Sequence, residues 1–315
     1  MHGRVITITG GSGFVGQILQ VGLRKRGYRV DIFDQFRGPA VNLLKRRYFG
    51  SCDSGLGSGA AQAIRRLQRR VSQSPLTTWL LRPSPDNILD LRSRLAARFQ
   101  GSFAVIHLAG IPHPHLPGAI DTDFRRINYD GSVNVFEAAR MAGVAKFIFA
   151  SSAQVYGINN PARIDQFPIL ESNYCPTLAQ GQSMYGLLKL EFEKYLEEAT
   201  ATGDTQAIAF RLEYPGFRSE TWENFYISTS LENLIQGFAC ALENTASFKF
   251  AAFNLADADV DKTIVDVQKF ISEKWPAVPN LTKGNESLLS IAKAQTLLGY
   301  GPLRGGSYFP VSLVW

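Results

Sequence analysis

Residues 4–34, "RVITITGGSGFVGQILQVGLRKRGYRVDIFD", restrict the choice of fold more than any other part of the chain. The β-branched run Val5–Thr9 suits a strand buried on both faces, as in a parallel sheet. Four glycines follow it (Gly10, Gly11, Gly13 and Gly16), and from Phe14 to Arg26 apolar residues recur at helical spacing. Gly27 stops that helix, and "YRVDIF" supplies a second strand. A strand, a glycine turn, a helix and a strand make a βαβ unit, whose crossover is right-handed.

The alternation continues. "FAVIHLAG" (103–110) reads as a strand, "INYDGSVNVFEAARMAG" as a helix stopped by Gly143, and "AKFIFASS" as a strand. "SMYGLLKLEFEKYLEEAT" is a long helix and "TQAIAFRL" a further strand. The fold class predicted is α/β, a Rossmann-like doubly wound parallel sheet with a small C-terminal substrate-binding lobe. Residues 1–160 and 183–212 are expected to form the nucleotide-binding domain. Residues 161–182 and 213–315 are expected to form the lobe, with helices near 228–243, 261–273 and 286–298 and a short strand "KFAAFNLA".

Residues 37–85 interrupt this pattern, placing a loop-like "SCDSGLGSGA" and an amphipathic basic "AAQAIRRLQRRV" where a short crossover is usual. From Arg24 to Arg98 there are 16 Lys/Arg against 5 Asp/Glu. A basic segment can meet nucleic acid or phosphorylated ligands. The lack of interleaved aromatic residues argues against nucleic acid. No apolar run approaches the ~20 residues that span a bilayer, and the first strand begins too early for a signal peptide. Three widely spaced cysteines suggest neither a disulfide framework nor a zinc site. A cytoplasmic location is expected.

Gly11-x-Gly13-x-x-Gly16 matches the dinucleotide fingerprint, and Gly10-x-x-Gly13-x-x-Gly16 the related spacing. The glycines allow the tight turn, the close approach of a pyrophosphate to the helix N-terminus, and helix–strand packing. Asp34 lies where an acid accepts hydrogen bonds from the adenosine ribose and repels a 2′-phosphate. NAD is therefore expected over NADP, with Arg37 keeping NADP open. Tyr185 and Lys189 lie one helical turn apart. An ammonium so placed lowers the pKa of a phenol and makes it a usable base.

The order "TGGSGFVG", "IFD", "HLAG", Asn128, "AKFIFASSAQVYG", "YGLLK" and "FRLEYPG" resembles the extended short-chain dehydrogenase/reductase superfamily, also called the NAD-dependent epimerase/dehydratase family, from residue 4 to about 216. The resemblance implies a catalytic group of Ser152, Tyr185 and Lys189. Ser152 would anchor the reacting oxygen, Tyr185 would take its proton, and Lys189 would clamp the nicotinamide ribose. It also implies that Phe14 and Val15 run along the pyrophosphate, that Gln35 follows Asp34 at the ribose, and that Leu108, Ala109 and Gly110 line the cofactor. Ala150 and Ser151 would approach the nicotinamide, and Asn128 would support the active-site helix or a water path. Asn87 and Ile88 would meet the adenine, with Asp86 as the other candidate. The family often dimerises through a four-helix bundle, so a homodimer is expected.

The departures bear on the reaction. Ala153 and Gln154 stand where dehydratases and decarboxylases of the family place acids, and neither side chain transfers protons. The connection after "FRLEYPG" is short, as in members that oxidise free sugars or uronic acids. Tyr214 replaces an Asn or Ser that faces substrate, and Leu188 a Ser before the lysine. His113, Ser152, Gln154, Tyr214 and Arg218 are the expected substrate contacts. No metal is expected, because His113 and His115 lack further ligands. No Gly-x-Ser-x-Gly elbow supports a serine hydrolase. The first expectation is an NAD-dependent oxidoreductase acting at a hydroxyl carbon of a sugar-like small molecule. A nucleotide-sugar epimerase using transient oxidation is the alternative, and an NAD-binding sensor or scaffold the non-enzymatic one.

Overall fold

The computed structural model describes residues 3–35, 86–112, 120–158, 164–174 and 183–309. The basic insertion 37–85, Arg37 and His113 lie outside the described residues. Six strands form one parallel sheet: β1 (Val5–Thr9), β2 (Arg29–Phe33), β3 (Ala104–His107), β4 (Lys146–Ser152), β5 (Gln206–Leu212) and β6 (Phe250–Leu255), in the order β2-β1-β3-β4-β5-β6. The strand order reverses at β1, so the crevice between the ends of β1 and β3 is the topological switch point where α/β sheets bind ligands.

Both faces of the sheet are covered. Ile6, Ile8, Ala104, Ile106, Ile148, Ile208 and Phe210 belong to one apolar cluster, which α1 (Phe14–Lys25) and α6 (Leu231–Glu243) close. Val105, Phe147, Phe149, Ala207 and Ala209 face the other way, under α2 (Arg92–Phe99), α4 (Gly131–Met141) and α5 (Met184–Thr200). Two-sided burial is why the strands read as continuous apolar runs rather than alternating ones. Close packing shows at Gly22 of α1, where an added Cβ would meet Ile235 of α6 at 2.5 Å.

Helix ends follow local chemistry. Gly27 (φ +87°) and Gly143 (φ +70°) close α1 and α4 in the left-handed region that favours glycine. Ser183 caps α5, its hydroxyl accepting from the Gly186 amide at 3.0 Å. A short helix α3 (Asp121–Phe124) leads into a π-helical turn, Arg125–Asp130, and then α4.

One boundary differs from expectation. The strand "KFAAFNLA", expected in the C-terminal lobe, is β6, which pairs with β5 from Ala207↔Phe250 to Leu212↔Leu255 and extends the main sheet. Helix α6, which precedes it, packs on α1. A strand's local pattern does not reveal which sheet it joins. Beyond β6 come helices α7 (Val267–Lys274) and α8 (Ala292–Leu298), and residues 164–174 bridge to the segment between them, Phe167 to Asn280 and Ile169 to Leu289. There Trp275 stacks on Phe225 at 5.4 Å and meets Phe167 edge-on at 5.3 Å. Asn254 at the end of β6 donates to the carbonyls of Ile169 and Ser290, joining sheet and lobe.

Candidate active site

The glycine turn sits at the switch point. Gly10 has φ +68°, and a Cβ there would lie 2.7 Å from the Ala109 nitrogen. Strand ends β1 and β3 can approach so closely only with glycine between them. At Gly16 a Cβ would lie 2.4 Å from the Gly11 carbonyl oxygen, so the first turn of α1 rests directly on the loop. Gln17 and Gln20 brace that loop from α1, donating to the carbonyls of Ser12 and Gly11 at 2.9 and 2.7 Å. Gly13 is the extended N-cap of α1 and offers no side-chain cap. The first amides of the helix, at Phe14, Val15 and Gly16, are thus presented for an anion. Asp34, half-buried at the end of β2, accepts from the Ser12 amide at 3.0 Å, which fixes a carboxylate beside the turn. Gln35 next to it is exposed. An uncapped helix, a cradle that tolerates no Cβ, and an acid held at its rim together fit a dinucleotide.

Leu108, Ala109 and Gly110 leave β3 at this crevice. Asn128, in the π-helical turn, clamps the next residue: its Oδ1 accepts from the Ile111 amide at 2.7 Å and its Nδ2 donates to the Ile111 carbonyl at 3.1 Å. A Cβ at Gly110 would come 2.9 Å from that same Oδ1. Asn128 therefore supports the loop through its whole amide group. Behind it, the Ser132 hydroxyl donates to the Asn128 carbonyl at 2.6 Å. It must then accept from His107 Nε2 at 2.8 Å, leaving Nδ1 to accept from Thr9 at 2.6 Å. Burial holds His107 neutral, with its pKa lowered to about 3.

The adenine-side residues precede α2. Ile88 is buried against Gly131, and Asn87 accepts from the Leu89 amide at 3.0 Å. Asp86 is paired with Arg98 through two contacts of 3.0 and 3.2 Å.

Helix α5 sets Tyr185, Lys189 and Glu193 four residues apart on its buried face. Tyr185 hydrogen-bonds Ser152, the last residue of β4. Ser152 in turn caps the short 3-10 turn Ala153–Tyr156, accepting from the Gln154 amide at 3.2 Å. Lys189 donates to the Ala150 carbonyl at 2.7 Å and lies 4.5 Å above the Phe149 ring and 5.6 Å from that of Tyr185. Burial lowers its pKa to about 7, against the opposing pull of Glu193. Contrary to the lowering expected from Lys189, burial, with the nearby charge of Glu213, raises the Tyr185 phenol above its ordinary value, and only the Ser152 hydrogen bond opposes the rise. The trio expected from the sequence is thus gathered at the carboxyl end of β4, one strand from the glycine crevice.

Three residues of this site were not foreseen. Glu193 pairs with Arg211 of β5 at 2.6 Å, both nearly fully buried, and also accepts from Ser151 at 2.5 Å. Arg211 further donates to the Tyr156 hydroxyl at 3.0 Å and the Glu171 carbonyl at 2.6 Å. The Ser151 hydroxyl therefore points to Glu193. The third is Glu213, just past β5. A signal for the pair existed: a charged residue in the buried run "AIAFRL" requires a partner.

Of the expected substrate contacts, Gln154 is buried beside Ser152, and Tyr214 is half-buried with φ +44°. Arg218 is held by Asp261 at 2.7 Å and lies over the Tyr308 ring at 4.8 Å. Hollows lined by Glu137, Arg140, Gly203 and Thr205, and by Arg4, Gly101 and Phe103, lie at the opposite, amino-terminal ends of the strands. They take no part in this chemistry. Among the described residues, no group of three His, Cys, Asp or Glu is placed to hold a metal, and no helix is long and apolar enough to cross a membrane.

A nucleotide cradle at the switch point and a Ser/Tyr/Lys group beside it define the class of fold and site. The model of the NAD dependent epimerase/dehydratase family matches residues 6–215, and the chain belongs to that family. It is 28% identical over 204 residues to the UDP-glucose 4-epimerase uge1 of Schizosaccharomyces pombe, covering 64% of this chain and 48% of that protein. It is 28% identical over 209 residues to the UDP-glucose 4-epimerase of Erwinia amylovora, covering 65% and 52%. The match thus spans about half the length of these relatives. Among solved structures, MoeE5 in complex with UDP-glucuronic acid and NAD superposes with a TM-score of 0.60 at 18% identity, covering 96% of this chain and 95% of the other. UDP-glucuronic acid 4-epimerase from Bacillus cereus in complex with NAD gives 0.60 at 21% identity, covering 95% and 94%. These likenesses establish the fold.

Proposed function

We propose that this protein carries out NAD-dependent hydride transfer at a hydroxyl-bearing carbon of a nucleotide-sugar, and that it epimerises that carbon by transient oxidation. The observation that carries the reading is the hydrogen-bonded pair Ser152–Tyr185 with Lys189 one turn away, set beside a cradle fit for a dinucleotide. Gly10, Gly13, Phe14, Val15 and Gly16 hold the pyrophosphate, Asp34 the adenosine ribose, and Lys189 the nicotinamide ribose. When bound, NAD accepts the hydride and returns it. Ser152 orients the substrate hydroxyl, and Tyr185 takes its proton as the carbonyl forms and gives it back when the alcohol is restored. The 4-epimerase relatives favour return of the hydride over net release of NADH. The short connection after β5 is the one feature that favours net oxidation, which is the second reading.

Residues 164–174 and 256–309 form the substrate lobe in this proposal. A homodimer and a cytoplasmic site of action complete it.

The test supplies purified protein with NAD and UDP-glucose, UDP-galactose, free hexoses or uronic acids. It follows reduced nicotinamide by absorbance and sugar configuration by chromatography, with Tyr185→Phe as the blank. Interconversion of the UDP-hexoses without steady NADH supports epimerisation. Steady NADH from any of these sugars replaces it with net oxidation, and full activity in Tyr185→Phe rejects the site altogether.

A further inference from the structure

The stripe Tyr185, Lys189, Glu193 on α5 runs along the ends of β4 and β5. Side chains of β5 alternate: Phe210 and Leu212 enter the cluster under α1 and α6, whereas Ala209 and Arg211 face the side covered by α5, where Arg211 meets Glu193. Glu213 is the first residue past the strand. It directly follows Leu212, the register partner of Ser152. Its charge acts on the Tyr185 phenol, which hydrogen-bonds that same Ser152.

The chain does not continue straight past it. Tyr214 takes φ +44°, a conformation that side chains other than glycine adopt at a cost, and the Phe217 amide closes the turn onto the Tyr214 carbonyl at 3.2 Å. This turn ends β5 beside Glu213. Glu213 is only half-buried, and among the described residues its carboxyl has no hydrogen-bond or ion-pair partner. Burial of the carboxyl within that half-buried residue pushes its pKa up to about 8. Arg211 is committed to Glu193 and Tyr156, Lys189 to the Ala150 carbonyl and Arg218 to Asp261.

From this placement we infer that Glu213 is a substrate-contacting residue, whose carboxyl hydrogen-bonds a hydroxyl of a neutral sugar ring adjacent to the carbon served by Ser152 and Tyr185. A ring hydroxyl suits this position because it can accept from the protonated carboxyl and donate to the ionised one. The inference deepens the proposed function and rests on its sugar substrate.

The experiment measures calorimetric affinities of NAD-loaded protein for UDP and for UDP-glucose, in wild type, Glu213→Gln and Glu213→Ala. Melting temperature and NAD affinity are recorded beside them. Wild type is expected to bind UDP-glucose more tightly than UDP. Glu213→Ala should lose about tenfold of that advantage, while its affinities for UDP and NAD and its melting temperature stay unchanged. Glu213→Gln, which keeps a donor and an acceptor, should retain most of it. If Glu213→Ala keeps the whole advantage, or weakens UDP equally, the contact is rejected while the nucleotide-sugar reading stands. If wild type itself gains nothing from the hexose, the reading and the contact fall together.

Discussion

Lys189 bears opposing demands. In the proposed mechanism it must stay close to Tyr185 to ease proton transfer, yet its burial lowers its pKa from 10.5 to about 7. A lysine depressed on folding costs stability fully below its folded pKa, and the cost fades as pH rises toward the unfolded value. Lys189→Met should therefore abolish turnover while gaining stability over wild type at pH 6, a gain that shrinks between pH 7 and 10.5. Urea denaturation at several pH values would check this, and a constant difference would contradict the assignment. Tyr185→Phe removes the proposed proton acceptor without enlarging the side chain. It should lower kcat by about a thousandfold with little change in melting temperature. Gly16→Ala would drive a methyl into the Gly11 carbonyl, so it should impair both folding yield and NAD affinity, measured by thermal melting with and without cofactor. The proximity of Ser152, Tyr185 and Lys189 and the glycine turn were legible because spacing along a strand, turn and helix fixes where such residues meet. Glu213 was not, because one acid past a strand does not reveal which face it takes until Arg211, two residues earlier, is seen to face α5.

Elements are held in register by polar as well as apolar groups. The Arg211–Glu193 pair ties β5 to α5, and its extensions through Tyr156 and Glu171 reach the lobe. Removing one partner leaves a buried charge, so Glu193→Gln should destabilise by about 3–5 kcal/mol in denaturant titration. Loss of the Ser183 cap by Ser183→Ala should cost about 1 kcal/mol, measured the same way, and loosen the start of the helix that carries Tyr185. The long amphipathic and β-branched elements were legible from periodicity. Helix α2, "RSRLAARF", is not legible in this way, because only Leu95 and Phe99 of it are buried and its charges mask the pattern. The π-helical turn at Arg125–Asp130 was equally invisible, since one inserted residue barely disturbs an apolar period.

Across the whole molecule, the glycine crevice, the end of β4 and the lobe meet along one side of the sheet. Phe14, in the first turn of α1, stacks on Phe217 at 4.3 Å and meets Phe309 edge-on at 5.4 Å, so the cradle for the dinucleotide and the C-terminal segment share an aromatic contact. Phe217→Ala is expected to weaken both NAD binding and thermal stability. A homodimer in solution, checked by light scattering, would complete the molecule as proposed.

The order of strands also dictates an order of assembly. β1 lies between β2, which follows it closely, and β3, which begins only at Ala104. While the chain is being synthesised, one edge of β1 has no neighbour until that later stretch has left the ribosome. The entropy of closing so long a connection rises only logarithmically, by about 0.6 kcal/mol per doubling. A lengthy segment between β2 and β3 is therefore tolerated thermodynamically and is felt mainly as delay. Limited proteolysis of stalled nascent chains should find Val5–Thr9 protected only in chains that extend well past His107.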